Sequence, residues 1–162
     1  MPHPYFDRFY HRVNMIEAEM ELIALGEGAI PILETLFNGE ARNEYGIPYR
    51  NLGLPLECAM EVVKRLGPTA KPLEHYLRAE VPTWGRVAAP CLRNMGTLED
   101  ETIVVLADVL RSDDTSVVAE VPYVLIRCGA GEHPAVVEAL SQSEKARRFF
   151  NDALEYLKSR GE

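Results

Sequence analysis

Seven segments of this chain repeat apolar residues at i, i+3, i+4 and i+7, and none sustains an alternation of period two. They are Phe6/Phe9/Tyr10/Val13, Ala29/Ile32/Leu33/Leu36, Ala59/Val62/Val63/Leu66, Trp84/Val87/Ala88/Cys91, Ile103/Leu106/Ala107/Leu110, Val121/Val124/Leu125/Cys128 and Ala146/Phe149/Phe150/Ala153. Spacing of this kind lines one face of an α-helix with side chains that need cover, so the chain is expected to be all-α.

Glycine and proline divide these helices. Gly26, Gly67, Gly96 and Gly129 each sit at a helix end, where glycine can adopt the backbone conformation that stops a helix. Pro31, Pro68, Pro72 and Pro134 lie in or near the first turn of the next helix, where a missing N–H costs little. Asp113–Asp114 and Ser141/Ser143 are N-cap candidates. The spacing predicts helix pairs at 5–25 with 28–38, 54–66 with 69–79, 83–95 with 98–111 and 115–128 with 132–142, closed by a helix at 144–160. Pro90 and Pro122 fall inside two of these helices, and a kink is expected at each. Trp84, on an apolar stripe, is expected in the core.

The junctions repeat. Leu25-Gly26-Glu-Gly-Ala29-Ile-Pro31 matches Leu66-Gly67-Pro-Thr-Ala70-Lys-Pro72, and the four glycines are 41, 29 and 33 residues apart. Periods of about 30–45 residues with two helices per unit describe stacked helical hairpins. These segments, with Arg86-Val87-Ala88-Ala89 and Leu110-Arg-Ser-Asp113-Asp114-Thr-Ser-Val117, resemble the HEAT-repeat family over roughly residues 15–142. The resemblance implies one domain over 1–162, a right-handed α-α superhelix of about four hairpins with a C-terminal capping helix. Uneven spacing and a 15-residue connector from Gly39 to Gly53 depart from the family pattern.

Such solenoids mostly bind proteins or peptides on the surface built from the second helix of each pair. Opposite the apolar stripes, that surface would present Glu34, Phe37, Lys71, Glu74, His75, Arg78, Glu101 and Asp108. The connector adds Arg42, Tyr45, Tyr49 and Arg50, residue types enriched at binding hot spots. Long irregular connectors are uncommon in compact domains and often carry binding roles; the alternative is a spacer whose tyrosines pack on adjoining units. The expected function is a non-catalytic protein-binding module, of the inhibitor or immunity type, engaging a basic protein. The alternative from the same resemblance is a HEAT-like lyase or chaperone acting on a bound small molecule or pigment.

Charge bears on the partner. The 17 Lys and Arg against 25 Asp and Glu leave a net −8, spread evenly: residues 1–80 carry 8 basic and 12 acidic groups. Nucleic acid is therefore not an expected partner, because its affinity rests on cations that neutralise phosphates. Leu98–Glu120 is the most acidic stretch, with seven carboxylates and Arg111 alone opposing them. It reads either as a solvated helix face with carboxylates at helix N-termini or as a landing surface for a basic protein.

Chemistry is hardly represented. Cys58, Cys91 and Cys128 form no CxxC pair and read as small buried hydrophobes; His3, His11, His75 and His133 form no metal-ligand motif; no nucleophile elbow or phosphate loop occurs. No cofactor or metal is expected. No run free of Asp, Glu, Lys and Arg exceeds six residues, too short for a membrane span or a secretory signal, so a cytoplasmic location is expected.

Overall fold

The computed structural model describes residues 3–162, and these form an all-α chain of eight α-helices with short 3-10 turns between them. Among them, extended pairing is confined to one isolated bridge, Arg42 with Pro48. The chain divides into two compact units, Met1–Tyr76 and Leu77–Glu162.

The first unit contains a 3-10 turn (Phe6–Tyr10), α1 (Arg12–Leu25), α2 (Ala29–Phe37) and α3 (Gly53–Leu66); α4 (Glu74–Arg93) begins at its end. α1 packs on the turn and on α3, and α2 lies against α3. Phe6, Phe9, Leu22, Leu33, Leu36 and Met60 are fully buried, each contributing about 1.5–3 kcal/mol by leaving water. The helix expected over 5–25 is broken at His11, which takes extended angles (φ −120°, ψ 121°). Phe6 and Phe9 are three residues apart on a 3-10 turn, a spacing that places both on one side. The stripe stops there: Tyr10 and Val13 are exposed.

The repeated junction in the sequence is repeated in the backbone. Gly26 (φ 57°, ψ −123°) and Gly67 (φ 59°, ψ −130°) end α1 and α3 with nearly the same angles, and a 3-10 stretch follows each. Ala29 and Ala70, each three residues past its glycine, are fully buried. Residues with a Cβ rarely adopt such angles, so glycine is what lets each helix end and the chain fold back within three residues. Gly96 and Gly129 also have positive φ.

The second unit takes in the rest of α4, then α5 (Asp100–Val109), α6 (Thr115–Arg127), α7 (Pro134–Gln142) and α8 (Glu144–Ser159). α5 packs on α7 and α6 on α8, while α5–α6 and α7–α8 are also in contact. Asp114 and Ser143 cap α6 and α8 by accepting from the amides of Ser116 (3.0 Å) and Ala146 (3.1 Å).

Two expectations are corrected. The segment expected as a helix over 69–79 opens as a 3-10 stretch (Gly67–Leu73) and turns α-helical only at Glu74; α4 is two helices joined at a kink, the second of which covers most of the helix expected over 83–95. The break in α4 lies at Trp84 (φ −120°, ψ 35°), two residues after Pro82, and Pro90 and Pro122 sit inside continuous helical stretches. Gly85 follows the break, and a Cβ there would meet Val117 Cγ1 at 2.6 Å. α4 therefore comes close to α6 immediately after the break. Trp84 is half-buried there, not enclosed in the core.

Replacing Gly26 by Ala should cost about 1–3 kcal/mol through backbone strain alone, since nothing lies within 4 Å of a Cβ there. Gly28→Ala, at φ −64° and two residues away, should be neutral or stabilise by up to about 1 kcal/mol. Chemical denaturation of the two variants checks the contrast.

Candidate functional site

The connector from Gly39 to Gly53 is a built loop. Asn43 Oδ1 accepts from the backbone amides of Tyr45 and Ile47, both at 3.0 Å, and Asn43 N donates to Ile47 O at 2.9 Å. Arg42 Nη1 donates to Gly46 O at 2.8 Å, closing the tip from the other side. At the base, Tyr49 N donates to Ala41 O (3.1 Å) and Ala41 N to Thr35 O (2.9 Å). Arg50 Nη1 donates to Phe37 O at the end of α2. Asparagine suits this position because its short amide replaces backbone partners that a tight turn leaves unsatisfied.

Tyr49 anchors the loop. Its side chain is buried, its ring meets Phe6 edge-on at 5.4 Å, and its hydroxyl donates to Asp7 Oδ1 at 2.5 Å. Burial, reinforced by the Asp7 carboxylate, pushes the Tyr49 phenol well above its ordinary value, so it stays a donor. Asp7 also accepts from the backbone amide of His3. His3 stacks flat on Phe6 (centroids 3.8 Å apart, planes 3°), and its Nδ1 accepts from the amides of Tyr5 (3.2 Å) and Phe6 (3.1 Å).

What this frame holds out is apolar. Tyr45, at the tip, is 78% exposed, and Ile47 beside it is also exposed. Tyr10, at the end of the turn before α1, is exposed as well, and such burial as it has pushes its phenol up. On α1, Val13 (74% exposed), Ile16 and Met20 form a second apolar stripe on the face away from buried Ala18 and Leu22. α1 is therefore apolar on two opposite sides, with Glu17 and Glu21 beside the outer stripe and both paired to Arg8 (3.7 and 2.8 Å).

The residues expected to form a binding surface are placed unevenly. In the first unit Glu34, Arg42, Tyr45 and His75 are exposed, and Lys71 and Arg50 are half-exposed. Phe37, Tyr49 and Glu74 are buried, which corrects the expectation that they face a partner. Phe37 lies on the last turn of α2 against the core, Tyr49 serves as the anchor described above, and Glu74 is ion-paired with Lys71. Glu34, Phe37 and His75 converge on Tyr76: its hydroxyl donates to Glu34 Oε1 (3.1 Å), its ring stacks on Phe37 (5.9 Å), and His75 lies 4.0 Å from it.

In the second unit Glu101 and Asp108 are exposed and Arg78 is partly so. Arg78 bridges Glu99 and Glu101, both at 3.1 Å, Arg111 pairs with Asp108 at 3.0 Å, and Asp100 faces His133 at 3.4 Å. Much of the acidic stretch is thus engaged within the unit or sits at helix N-termini, where the dipole favours it.

Tyr10 and Val13, expected on a covered stripe with Phe6 and Phe9, are exposed, and Ile16, Met20, Ile47 and Tyr76 are residues for which the sequence raises no expectation. Val13, Ile16 and Met20 follow i, i+3 and i+7 on their own, a phase that the break at His11 separates from that of Phe6 and Phe9.

All three cysteines are thiols outside any disulfide; Cys58 and Cys91 are buried, and Cys128 is half-buried. Burial first, then the neighbouring Glu19 carboxylate, pushes the Cys58 thiol up to about 12, leaving it protonated and unreactive. Among the described residues, no group of three His, Cys, Asp or Glu side chains is placed to hold a metal ion, and no helix is long and apolar enough to cross a membrane. Comparison with protein-family models, with curated proteins and with solved structures finds no match.

Burial holds the His3 imidazole below its ordinary 6.5, outweighing the opposing pull of Asp7. Its neutral form is the one that accepts the two backbone amides. The stability it contributes is fully present above pH 6.5 and lost as pH falls from there through the lowered folded value. Thermal melts between pH 7.5 and 5 should show a loss of stability over that window that His3→Gln diminishes; an identical pH profile for the variant would contradict it.

Proposed function

We propose that the chain is a HEAT-like α-solenoid that binds another protein, and that the face carrying the Gly39–Gly53 loop and the outer stripe of α1 is where it docks. The observation that carries this reading is the loop tip: eight named hydrogen bonds and a buried tyrosine anchor hold Tyr45 and Ile47 in solvent. Tyr49 adds its ring to the core, but Tyr45 and Ile47 add nothing to it, being the side chains left outside. The cage does lower the entropy cost of docking, because the loop is ordered before a partner arrives. Tyrosine is among the residue types that dominate binding energy at protein interfaces.

The solenoid reading is supported by the contacts within each unit, where α1 meets α2 and α3, α5 meets α6 and α7, and α8 meets α6 and α7. Hairpins stacked side by side generate that pattern. The repeated glycine junctions support it too. The acidity of the chain points to a partner of opposite charge, whose arrival would be steered and salt-sensitive. An inhibitor or immunity-type protein acting on a basic target fits these features.

Each large apolar side chain covered on docking would contribute about 1.5–3 kcal/mol, set against the costs of association. A Tyr45→Ala, Ile47→Ser double variant should fold normally, because both side chains are exposed. Used as bait against cell lysate beside the wild type, it should retain about tenfold less of the specific partner, with wild-type capture weakening as salt rises. Equal retention by variant and wild type, or a partner whose capture ignores salt, would contradict the reading.

A further inference from the structure

The second unit carries a concentration of guanidinium groups that the acidity of the chain hides. A cavity of about 420 Å³ is lined by Arg93 of α4, by Glu120, Tyr123 and Arg127 of α6, and by Tyr156, Arg160 and Glu162 at the end of α8. Residues 120, 123 and 127 follow one face of α6, residues 156 and 160 one face of α8, and those two helices pack together. Three arginines against two glutamates give this cavity a net +1 in a chain of net −8.

Two observations show what the cavity is short of. Arg93 Nε is buried and has no hydrogen-bond partner. A buried cationic donor without an acceptor is costly, and an oxyanion would relieve both its charge and its hydrogen-bonding deficit. The second observation is Glu162, whose side-chain carboxylate lies 3.1 Å from Arg127 Nη2 and 3.9 Å from Arg160 Nε. Its backbone amide donates to Leu157 O at 2.9 Å, which holds the residue in place. The chain thus already sets a carboxylate between two of the three guanidiniums, while the Nε of the third has no acceptor.

Aromatic rings adjoin these charges. Tyr123 and Tyr156 meet edge to face at 5.9 Å, and Arg160 lies over the Tyr156 ring at 5.7 Å while donating to its hydroxyl at 3.2 Å. Volumes of this order accept small molecules, and edges and faces of tyrosine favour a flat ring.

We propose that this cavity binds a small aromatic oxyanion, its phosphate or carboxylate held by Arg93 and Arg127 and its ring by Tyr123 and Tyr156, with Glu162 as an internal competitor displaced on binding. The site does not rest on the protein-binding reading, and either stands if the other fails.

The test is a titration of the full-length ¹⁵N-labelled protein with phenyl phosphate, benzoate and inorganic phosphate, read at the arginine Nε–Hε resonances. Phenyl phosphate or benzoate should shift the Arg93 signal saturably and bind more tightly than inorganic phosphate; the better of the two identifies the oxyanion. Glu162→Gln should tighten binding about threefold or more by removing the competitor, and Arg127→Gln should weaken it about tenfold, both positions being surface-exposed enough to leave the fold intact. An Arg93 signal unmoved by all three compounds at about 10 mM would overturn the proposal. So would binding that is indifferent to both substitutions, or inorganic phosphate binding as tightly as the aromatic compounds.

Discussion

The first unit depends on a single buried phenol. Tyr49 puts its ring against Phe6 in the core and its hydroxyl on Asp7, and so ties the loop after α2 to the turn before α1. Without that tie, the residues from Gly39 to Gly53 would be a long connector with little apolar material of their own, and ordering them would cost about 1–2 kcal/mol of backbone entropy per residue. With it, the hydrogen bonds of Asn43 and Arg42 act on a segment whose ends are already fixed, and the tip is held rather than fluctuating. The exposed position of Tyr45 is a consequence of the buried position of Tyr49.

A division of labour follows from this arrangement. Of the loop residues that sequence composition marks as interface-like, Tyr49, Arg42 and Arg50 spend their polar groups on the chain itself, on Asp7, Gly46 and Phe37 respectively. Tyr45 has been left to solvent, along with Ile47, an aliphatic residue no hot-spot argument selects. The same residue types thus serve as scaffold and as display, and only the hydrogen-bond partners separate them. In the second unit the same contrast appears between arginines: Arg78 and Arg111 are matched to carboxylates, whereas Arg93 is left with a buried donor unmet.

Much of the helical architecture was legible because it rests on local chemistry. The junction glycines required positive φ wherever a helix had to end and turn within three residues, and Gly26, Gly67, Gly96 and Gly129 all take it. The caps at Asp114 and Ser143 were legible for the same reason. The bend in α4 was not, because two prolines, Pro82 and Pro90, lie within it and local sequence does not say which of them accompanies the bend. The break at His11 was equally hidden, since Phe6 and Phe9 satisfy a 3-10 turn as well as an α-helix. Of the residues expected on a binding surface, Phe37, Tyr49 and Glu74 have side chains that would suit one, but only tertiary packing determines that they point inward.

The most direct measurement is native-state hydrogen exchange at the loop amides of Asn43, Tyr45, Gly46, Ile47 and Tyr49. The account predicts protection there comparable to that of the flanking turns of α2 and α3, lost together in Tyr49→Phe while the amides of α5 to α8 keep theirs. Loop amides that exchange at unstructured-chain rates in the wild type, or that are untouched by removing the Tyr49 hydroxyl, would contradict it.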